Sequence, residues 1–274
     1  MLVISVVAVV ALVCYGVILA SGTVPTPVKK KVSLPSVVKF GKGIVINRKF
    51  SVVGVKVRDL KPPVGIFIYK TSTDVTGEGF KYEVWIYNVS KLNNTAYLII
   101  RNVTIFMNDK PFSNYIETYI VKNNIVYFID AKTGNVVYKF NVVEAPVSPD
   151  CVSLLVAPPF WPYVREGAKW RVTLTAYEEY RYLRVPYVLK YRAVEEAQVV
   201  GITKCNGPSG KCYIVKSRVI MYIENPKTGK IEKQKVYTYE FYVDYKTGVV
   251  TYAKYGKLNT EPIQIRLIKW KISG

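Results

Sequence analysis

The stretch FIDAKTGNVVYKF at residues 128–140 recurs, with few changes, as YVDYKTGVVTYAK at residues 242–254. Each copy has an Asp four residues before a Gly, between two runs rich in Val and Tyr. An Asp that opens a tight turn accepts a backbone hydrogen bond, and Gly adopts the positive φ that closes a type I turn with a bulge. The stretch therefore predicts a β-hairpin in each half. The turn residues are Asp130 and Gly134 in the first copy, and Asp244 and Gly248 in the second.

A third turn of the same kind is predicted at NPKTG, where Asn225 and Gly229 have the same spacing and Pro226 occupies a position that suits its fixed φ. Two other stretches also recur. EGFKYEV from Glu78 matches EGAKWRV from Glu166. YLIIRNVTIFMND from residue 97 matches YIVKSRVIMYIEN from residue 213. The three offsets are 88, 116 and 114 residues in unchanged order, which indicates a duplicated unit whose second copy is enlarged within residues 178–212.

Alternation of apolar residues predicts which side chains face the core. In the first matched stretch the inward set is Phe80, Tyr82, Val84 and Ile86, with Ala168, Trp170, Val172 and Leu174 as its counterparts. In the second the inward set is Tyr97, Ile99, Val103, Ile105 and Met107, with Tyr213, Val215, Val219, Met221 and Ile223 as counterparts. Lys216 and Arg218 are then expected on the outer face.

The composition fits this architecture, because Val, Ile and 23 Tyr suit a pleated, half-buried surface. We predict an all-β fold of two duplicated antiparallel units, forming a curved sheet, sandwich or half-barrel, after one N-terminal hydrophobic helix. The predicted divisions are a signal peptide or anchor at 1–22, a basic extended linker at 23–50, a first unit at 51–148 and a second, enlarged unit at 149–274. The extended, proline-containing segment at 158–162 is expected to place Phe160 and Trp161 against the second sheet.

Several features predict a location outside the cytoplasm. Residues 2–20 carry no charge and are long enough to span a bilayer core of roughly 30 Å, either as a cleaved signal or as a retained anchor. The lysines at 29–31 favour the opposite orientation. Cys205 and Cys212 flank a short polar loop where a disulfide is expected, although free or metal-binding cysteines stay open. Glycosylation sequons are at Asn88, Asn93 and Asn102.

The second half contains FWPYVREGAKWRV, GKCYIVKSRV and YTYEFYVDYKTGVVTYA. Over residues 158–256 this pattern resembles the curved-sheet, lipoprotein-carrier-like proteins found outside the membrane of many prokaryotes. The resemblance implies a strongly bent antiparallel sheet that holds a lipid or another protein. It implies no catalytic residues, since that group has no shared catalytic set.

No catalytic, cofactor-binding or metal site is predicted. The chain contains no His, which removes the commonest general base and the usual zinc ligand. SVVK at residues 36–39 does not begin a helix as the penicillin-recognising motif requires, and SGK at 209–211 lacks the Gly of a phosphate loop. The remaining candidate acids and bases are Glu78, Glu166, Glu178, Glu179, Glu195 and Glu196.

Lys and Arg outnumber Asp and Glu by 39 to 19, a net charge of +20 that attracts anionic surface glycans or lipids, or that simply forms the soluble, self-repelling surface of a protein adapted to heat or salt. The cations are dispersed over many strands, which disfavours nucleic acid. We therefore predict a non-catalytic envelope protein with a binding or scaffold role, whose partners are the membrane, other envelope proteins, anionic glycan or lipid, or further copies of the chain. One alternative is a filament or surface-layer subunit that assembles by strand addition through residues 23–44. The other is a carbohydrate-active enzyme. The composition is also typical of heat-loving archaea.

Overall fold

The computed structural model describes residues 45–72, 80–130, 133–143, 153–182, 185–225, 228–257 and 262–273. Thirteen strands form one antiparallel sheet, so the predicted all-β class is confirmed. Within these ranges no helix is long and apolar enough to cross a bilayer. The predicted N-terminal helix, the assembly segment at 23–44 and most of the joint at 143–151 lie outside the described residues.

The strands alternate with short turns along most of the chain. They are β1 Val45–Val53, β2 Gly65–Ser72, β3 Phe80–Asn93, β4 Ala96–Met107, β5 Lys110–Lys122, β6 Ile125–Ile129, β7 Val136–Asn141, β8 Lys169–Tyr182, β9 Val185–Lys204, β10 Lys211–Glu224, β11 Ile231–Asp244, β12 Val250–Lys257 and β13 Ile263–Ile272.

The sheet order is β1-β8-β9-β10-β11-β12-β13-β2-β3-β4-β5-β6-β7. It consists of two six-stranded meanders, β2 to β7 and β1 with β8 to β12, and the last strand, β13, joins them by pairing with β12 and β2. We call these the first and second meander. Each ends in a hairpin closed by a Lys-Thr-Gly turn, so strands can be matched by counting back from that hairpin.

Strand β1 differs from the sequence-based expectation. It begins at Val45, inside the linker predicted to extend to residue 50, and it pairs with β8 as the outer strand of the second meander. Val52 packs against the core opposite Val172, which fixes this strand on the sheet. Sequence order alone assigns β1 to the first unit because it precedes β2. The boundary between units at residues 148 and 149 stays a prediction.

One of the recurring stretches does not mark equivalent strands. The residue 97 stretch forms β4, and the residue 213 stretch forms β10, whereas counting from the hairpins makes β9 the counterpart of β4. The first meander turns at Asn123 and Asn124 between β5 and β6, while β11 runs 14 residues without a break. The two stretches lie a similar number of residues before their hairpins. Three strands follow β4 in the first meander, however, and only two follow β10 in the second.

The main core covers one face of the sheet, which we call the inner face, and a smaller cluster of Ile120, Ile129 and Val136 lies on the other face. Residues 153–164 fill the inner face with Leu154, Leu155 and Phe160, and the resulting cluster contains side chains from both meanders. The ring centroids of Phe160 and Phe241 are 4.9 Å apart, and those of Trp161 and Tyr213 are 6.5 Å apart. This placement agrees with the sequence, but the segment forms turns and a short 3-10 helix at Trp161–Tyr163 instead of an extended chain.

The inward set predicted for β3 is wrong. Trp85, Tyr87 and Val89 are buried, whereas Val84 and Ile86 lie on the opposite, outer face. Both faces of this strand carry large apolar residues, so alternation alone could not distinguish them. The larger aromatic rings occupy the core, and the ring of Tyr87 packs edge-on against Tyr69 at 5.4 Å. The counterparts Trp170 and Val172 are buried as predicted, and so are Ile99, Val103, Val215 and Val219.

Candidate binding site

The three Lys-Thr-Gly turns have one geometry. In each, the Gly has a φ of 68° to 76° and its backbone N–H donates to the carbonyl oxygen of the Asp or Asn four residues earlier, at 2.8 to 3.0 Å. The side chain of that first residue accepts a further bond from the backbone N–H of the Thr, as at Asp130 Oδ1, 2.8 Å from Thr133 N. These contacts close the hairpins, so the role of the turns is structural. The remaining turn residues are Gly134, Asn225, Gly229, Asp244 and Gly248.

Cys205 and Cys212 are joined by a disulfide that closes the loop between β9 and β10, with their Cα atoms 5.8 Å apart. Ser209 donates hydrogen bonds from both its backbone N–H and its hydroxyl to Asp244 Oδ2, each at 2.8 Å. The loop is thereby fastened to the hairpin turn between β11 and β12. Cys14 and Cys151 lie outside the described residues.

The three sequons lie on the hairpin of β3 and β4, in different settings. Asn93 is exposed at the end of β3, where its Oδ1 accepts bonds from Thr95 N at 2.9 Å and Thr95 Oγ1 at 3.2 Å. Asn88 is exposed in the middle of the outer face. Asn102 is half-buried, and its Oδ1 has no hydrogen-bond partner among the described residues. Whether any of them carries a glycan stays a prediction.

A concave groove lies on the outer face of the second meander. Five successive strands each contribute a three-residue stretch whose first and last residues are on the outer face and whose middle side chain points inward. These stretches are KWR at 169–171, EAQ at 196–198, KSR at 216–218, TYE at 238–240 and KYG at 254–256. We call the surface they form the outer groove.

Register aligns the five stretches into two walls and a floor. Lys169, Gln198, Lys216, Glu240 and Lys254 are successive cross-strand partners along one wall. Arg171, Glu196, Arg218, Thr238 and Gly256 form the other. The floor is the backbone of Trp170, Ala197, Ser217, Tyr239 and Tyr255, whose side chains point away from the groove.

The groove runs across the strands and is open to solvent. Its volume is about 910 Å³, and four strand spacings make it about 19 Å long. The two walls are two residues apart along each strand, which separates them by about 7 Å. Val53 extends one end beside Arg171, since these residues are cross-strand partners. The site can therefore accommodate an elongated ligand lying flat on the sheet.

Positive charge predominates in the outer groove. The two walls contain five cations and two carboxylates, a net charge of 5 − 2 = +3. Two cations face carboxylates across strands, with Arg171 Nε 3.8 Å from Glu196 Oε1 and Lys216 Nζ 3.5 Å from Glu240 Oε2. Among the described residues the other three, Lys169, Arg218 and Lys254, have no carboxylate within ion-pair distance.

Glu195 lies directly behind the groove, on the inner face. It is only 3% exposed, its Oε1 accepts a hydrogen bond from the Ser217 hydroxyl, and its Oε2 has no hydrogen-bond partner among the described residues. Burial raises the pKa of this carboxyl to about 8, against a smaller opposing effect of the Ser217 bond. Glu195 is therefore protonated at neutral pH and adds no negative charge beneath the cations.

The first meander buries its own polar cluster on the inner face. Arg101 and Glu117 are cross-strand partners, with 2.9 Å between Nε and Oε2, and each is under 7% exposed. The guanidinium lies 4.5 Å from the Trp85 ring centroid, and the Tyr119 hydroxyl donates to Glu117. Alternation did not predict this pair, because only apolar residues were assigned to the inward positions of β4 and Arg101 was left out.

Of the candidate acids and bases, Glu166 is exposed just before β8, and Glu78 lies outside the described residues. In the described part of the chain, no group of three or more potential metal ligands occurs. The alternation of apolar residues correctly predicted Lys216 and Arg218 on the outer face, but it did not predict the groove. The repeated K-x-R spacing in KWR and KSR was an available signal, because two residues is the spacing of side chains on one face of a strand.

Comparison with known proteins gives partial likenesses in fold only. No protein-family model matches the chain, and no curated protein is significantly similar to it. An exported protein with a YmcC-like fold from Bacteroides fragilis, as its name describes it, shares 13% identity, with 79% of this chain and 100% of the other covered and a TM-score of 0.34. A protein named as a lipoprotein from Parabacteroides distasonis shares 9%, with 80% and 100% covered and a TM-score of 0.38.

The third similar structure is the hypothetical lipoprotein YmcC of Escherichia coli. It shares 12% identity over 76% of this chain and 85% of the other, with a TM-score of 0.29. The more specific resemblance to lipoprotein carriers stays a prediction.

Proposed function

We propose that the protein is a non-catalytic binding protein of the cell envelope, which holds a segment of anionic glycan in the outer groove. The observation that carries the proposal is the pair of aligned walls, in which five cations outnumber two carboxylates and three of the cations have no carboxylate within ion-pair distance among the described residues. Lysine and arginine bind carboxylate and sulfate groups through charge-assisted hydrogen bonds. Neighbouring positions along each wall are about 4.8 Å apart and successive cations lie two positions apart, so an extended polyanion meets a cation about every 10 Å along a wall.

A glycan fits the groove better than a lipid chain does. The two walls consist of charged and polar side chains, which suit a polar ligand, and Val53, Val200 and Pro262 are apolar residues that also line the groove. A length of about 19 Å corresponds to several sugar units lying flat across the strands. Gly256 has no side chain and Thr238 has a short one, so this wall is low at its β12 end. A bulky polymer has space to enter the groove from that side.

The arrangement of carboxylates supports binding without hydrolysis. Glu196 and Glu240 belong to opposite walls and to strands two apart, which puts their Cα atoms roughly 12 Å from one another. Each of these glutamates also has a cation opposite it on the neighbouring strand, which favours a role in binding.

An extracytoplasmic location is part of the proposal. Disulfides persist in oxidising compartments, and the Cys205 to Cys212 bond fastens the loop that adjoins the second meander. The uncharged residues 2–20 supply a signal or an anchor.

Titration of the full chain in mild detergent with an oligogalacturonate, a defined chain of acidic sugars, tests the proposal. We expect binding that weakens as salt rises and a loss of affinity of about tenfold when Arg218→Gln and Lys254→Gln are combined. The matched control combines Lys91→Gln and Lys139→Gln, which remove the same charge from exposed positions of the first meander. An equal loss in the control, or equal affinity for a neutral oligosaccharide, contradicts the proposal.

A further inference from the structure

The outer face of the first meander carries an apolar surface unrelated to the groove. Ile66, Ile86 and Ile116 are 43%, 38% and 38% exposed, and Ile68 and Ile100 are half-buried between them. Ile68 and Ile86 are direct cross-strand partners, while Ile86 and Ile116 are separated only by Asn102. These five side chains form one continuous surface over four strands, which we call the isoleucine patch.

Cations border this patch along β2 and β13. Lys269 and Lys271 are the cross-strand partners of Ile68 and Ile66, and Arg266 is the partner of Lys70. All four cations are exposed. Among the described residues that point outward from β2 to β5 and β13, none is Asp or Glu. The face is therefore largely apolar at its centre and cationic along its β2 and β13 side.

This charge distribution favours one kind of binding partner for the patch over another. A second copy of the chain stacked on the same face would bring like-charged borders together, which is unfavourable. An anionic lipid surface meets both requirements, since isoleucines enter the boundary between headgroups and acyl chains while lysines and arginines contact the headgroups. The uncharged residues 2–20 also predict that the chain is made at a bilayer.

We propose that the isoleucine patch rests on the surface of a membrane containing anionic lipids. The inference does not depend on the ligand of the outer groove. It has a consequence for the sequons, because Asn88 and Asn102 lie within the patch and Asn93 lies beyond it at the hairpin end. Glycans on Asn88 or Asn102 would separate the patch from lipid, so Asn93 is the sequon left available for modification.

Brominated lipids, which quench tryptophan fluorescence on contact, test the proposal in nanodiscs containing the full chain. The reporter is Ile86→Trp in the patch, and the matched control is Thr238→Trp in the outer groove. In anionic bilayers we expect the fluorescence added by Ile86→Trp to be quenched at least twofold more than that added by Thr238→Trp. We expect this difference to shrink in zwitterionic bilayers and when Lys269→Glu and Lys271→Glu are added.

Three results would overturn the proposal. The first is equal quenching of the two reporters in anionic bilayers. The second is a glycan on Asn88 or Asn102 in peptide mass spectra of protein from its native host. The third is a dimer of the unmodified chain in detergent that Ile86→Trp dissociates, which would assign the patch to a second copy.

Discussion

The two meanders share their inner faces and differ in their outer ones. Inside, both present Val, Ile and aromatic side chains to a single core that also contains residues 153–164. Outside, the second meander carries a net charge of +3 in the walls of the outer groove, whereas the first carries isoleucines at its centre. Packing constrains the inner face of each meander, and both proposed binding surfaces lie on the outer face.

The largest expected effect concerns the buried ion pair, which in the described residues occurs only on the inner face of the first meander. Arg101→Met leaves Glu117 buried without its cation and should lower the free energy of unfolding by about 3 to 5 kcal/mol. Adding Glu117→Leu should recover much of that loss, because an apolar pair of similar volume avoids the desolvation of both charges. Urea unfolding of the single and double variants measures both. A double variant less stable than Arg101→Met would contradict this reading.

The next predicted effect is a loss of stability on substituting the glycines of the two matched turns. Gly134 and Gly248 both have positive φ, but a Cβ on Gly248 would lie 2.6 Å from Trp161 ring carbons, while one on Gly134 would meet nothing within 4 Å. Gly134→Ala should therefore cost about 1 kcal/mol from backbone strain alone, and Gly248→Ala about 2 to 4 kcal/mol. Thermal unfolding of the pair tests whether the core segment packs on the second hairpin. Equal losses would show that it does not.

The last predicted effect is a change of the free energy of unfolding with pH, which arises in the second meander. Glu195 has a raised pKa of about 8 when folded and an ordinary value near 4.5 when unfolded. The folded state therefore binds the extra proton, so the stability this group contributes is complete below pH 4.5 and declines as pH rises toward 8. Between pH 5 and 7 the decline should be about 2 kcal/mol.

Glu195→Gln isolates this effect, because it keeps a neutral group beside Ser217 and removes the titration. Unfolding at pH 5 and pH 7 should show a smaller difference for the variant than for the original chain. Equal pH dependence in the two proteins would assign the titration to another residue.

The sequence predicts the local chemistry of this fold better than its long-range pairing. Turn glycines and Val-rich alternation act within a few residues, so the strands near the hairpins could be located from the sequence. The pairing of β1 with β8 joins residues more than a hundred positions apart and has no local signal. The outer groove depends on the register of five strands at once, so no single stretch such as KWR or KSR could reveal it.

The inward face of β3 illustrates a different limit. Both faces of that strand are apolar because one packs in the core and the other contributes Ile86 to the isoleucine patch. An alternation rule assumes one polar face, and it fails where the exposed face has an apolar surface of its own.

The central claim is that an anionic glycan lies between the two walls of the outer groove. Backbone amide chemical shifts, recorded while the isotope-labelled full chain is titrated with oligogalacturonate, test it most directly. We predict that the largest changes fall on the floor and walls from Trp170 through Ala197, Ser217 and Tyr239 to Tyr255. Changes confined to the first meander, or no changes at concentrations where binding is detected in solution, would contradict the account.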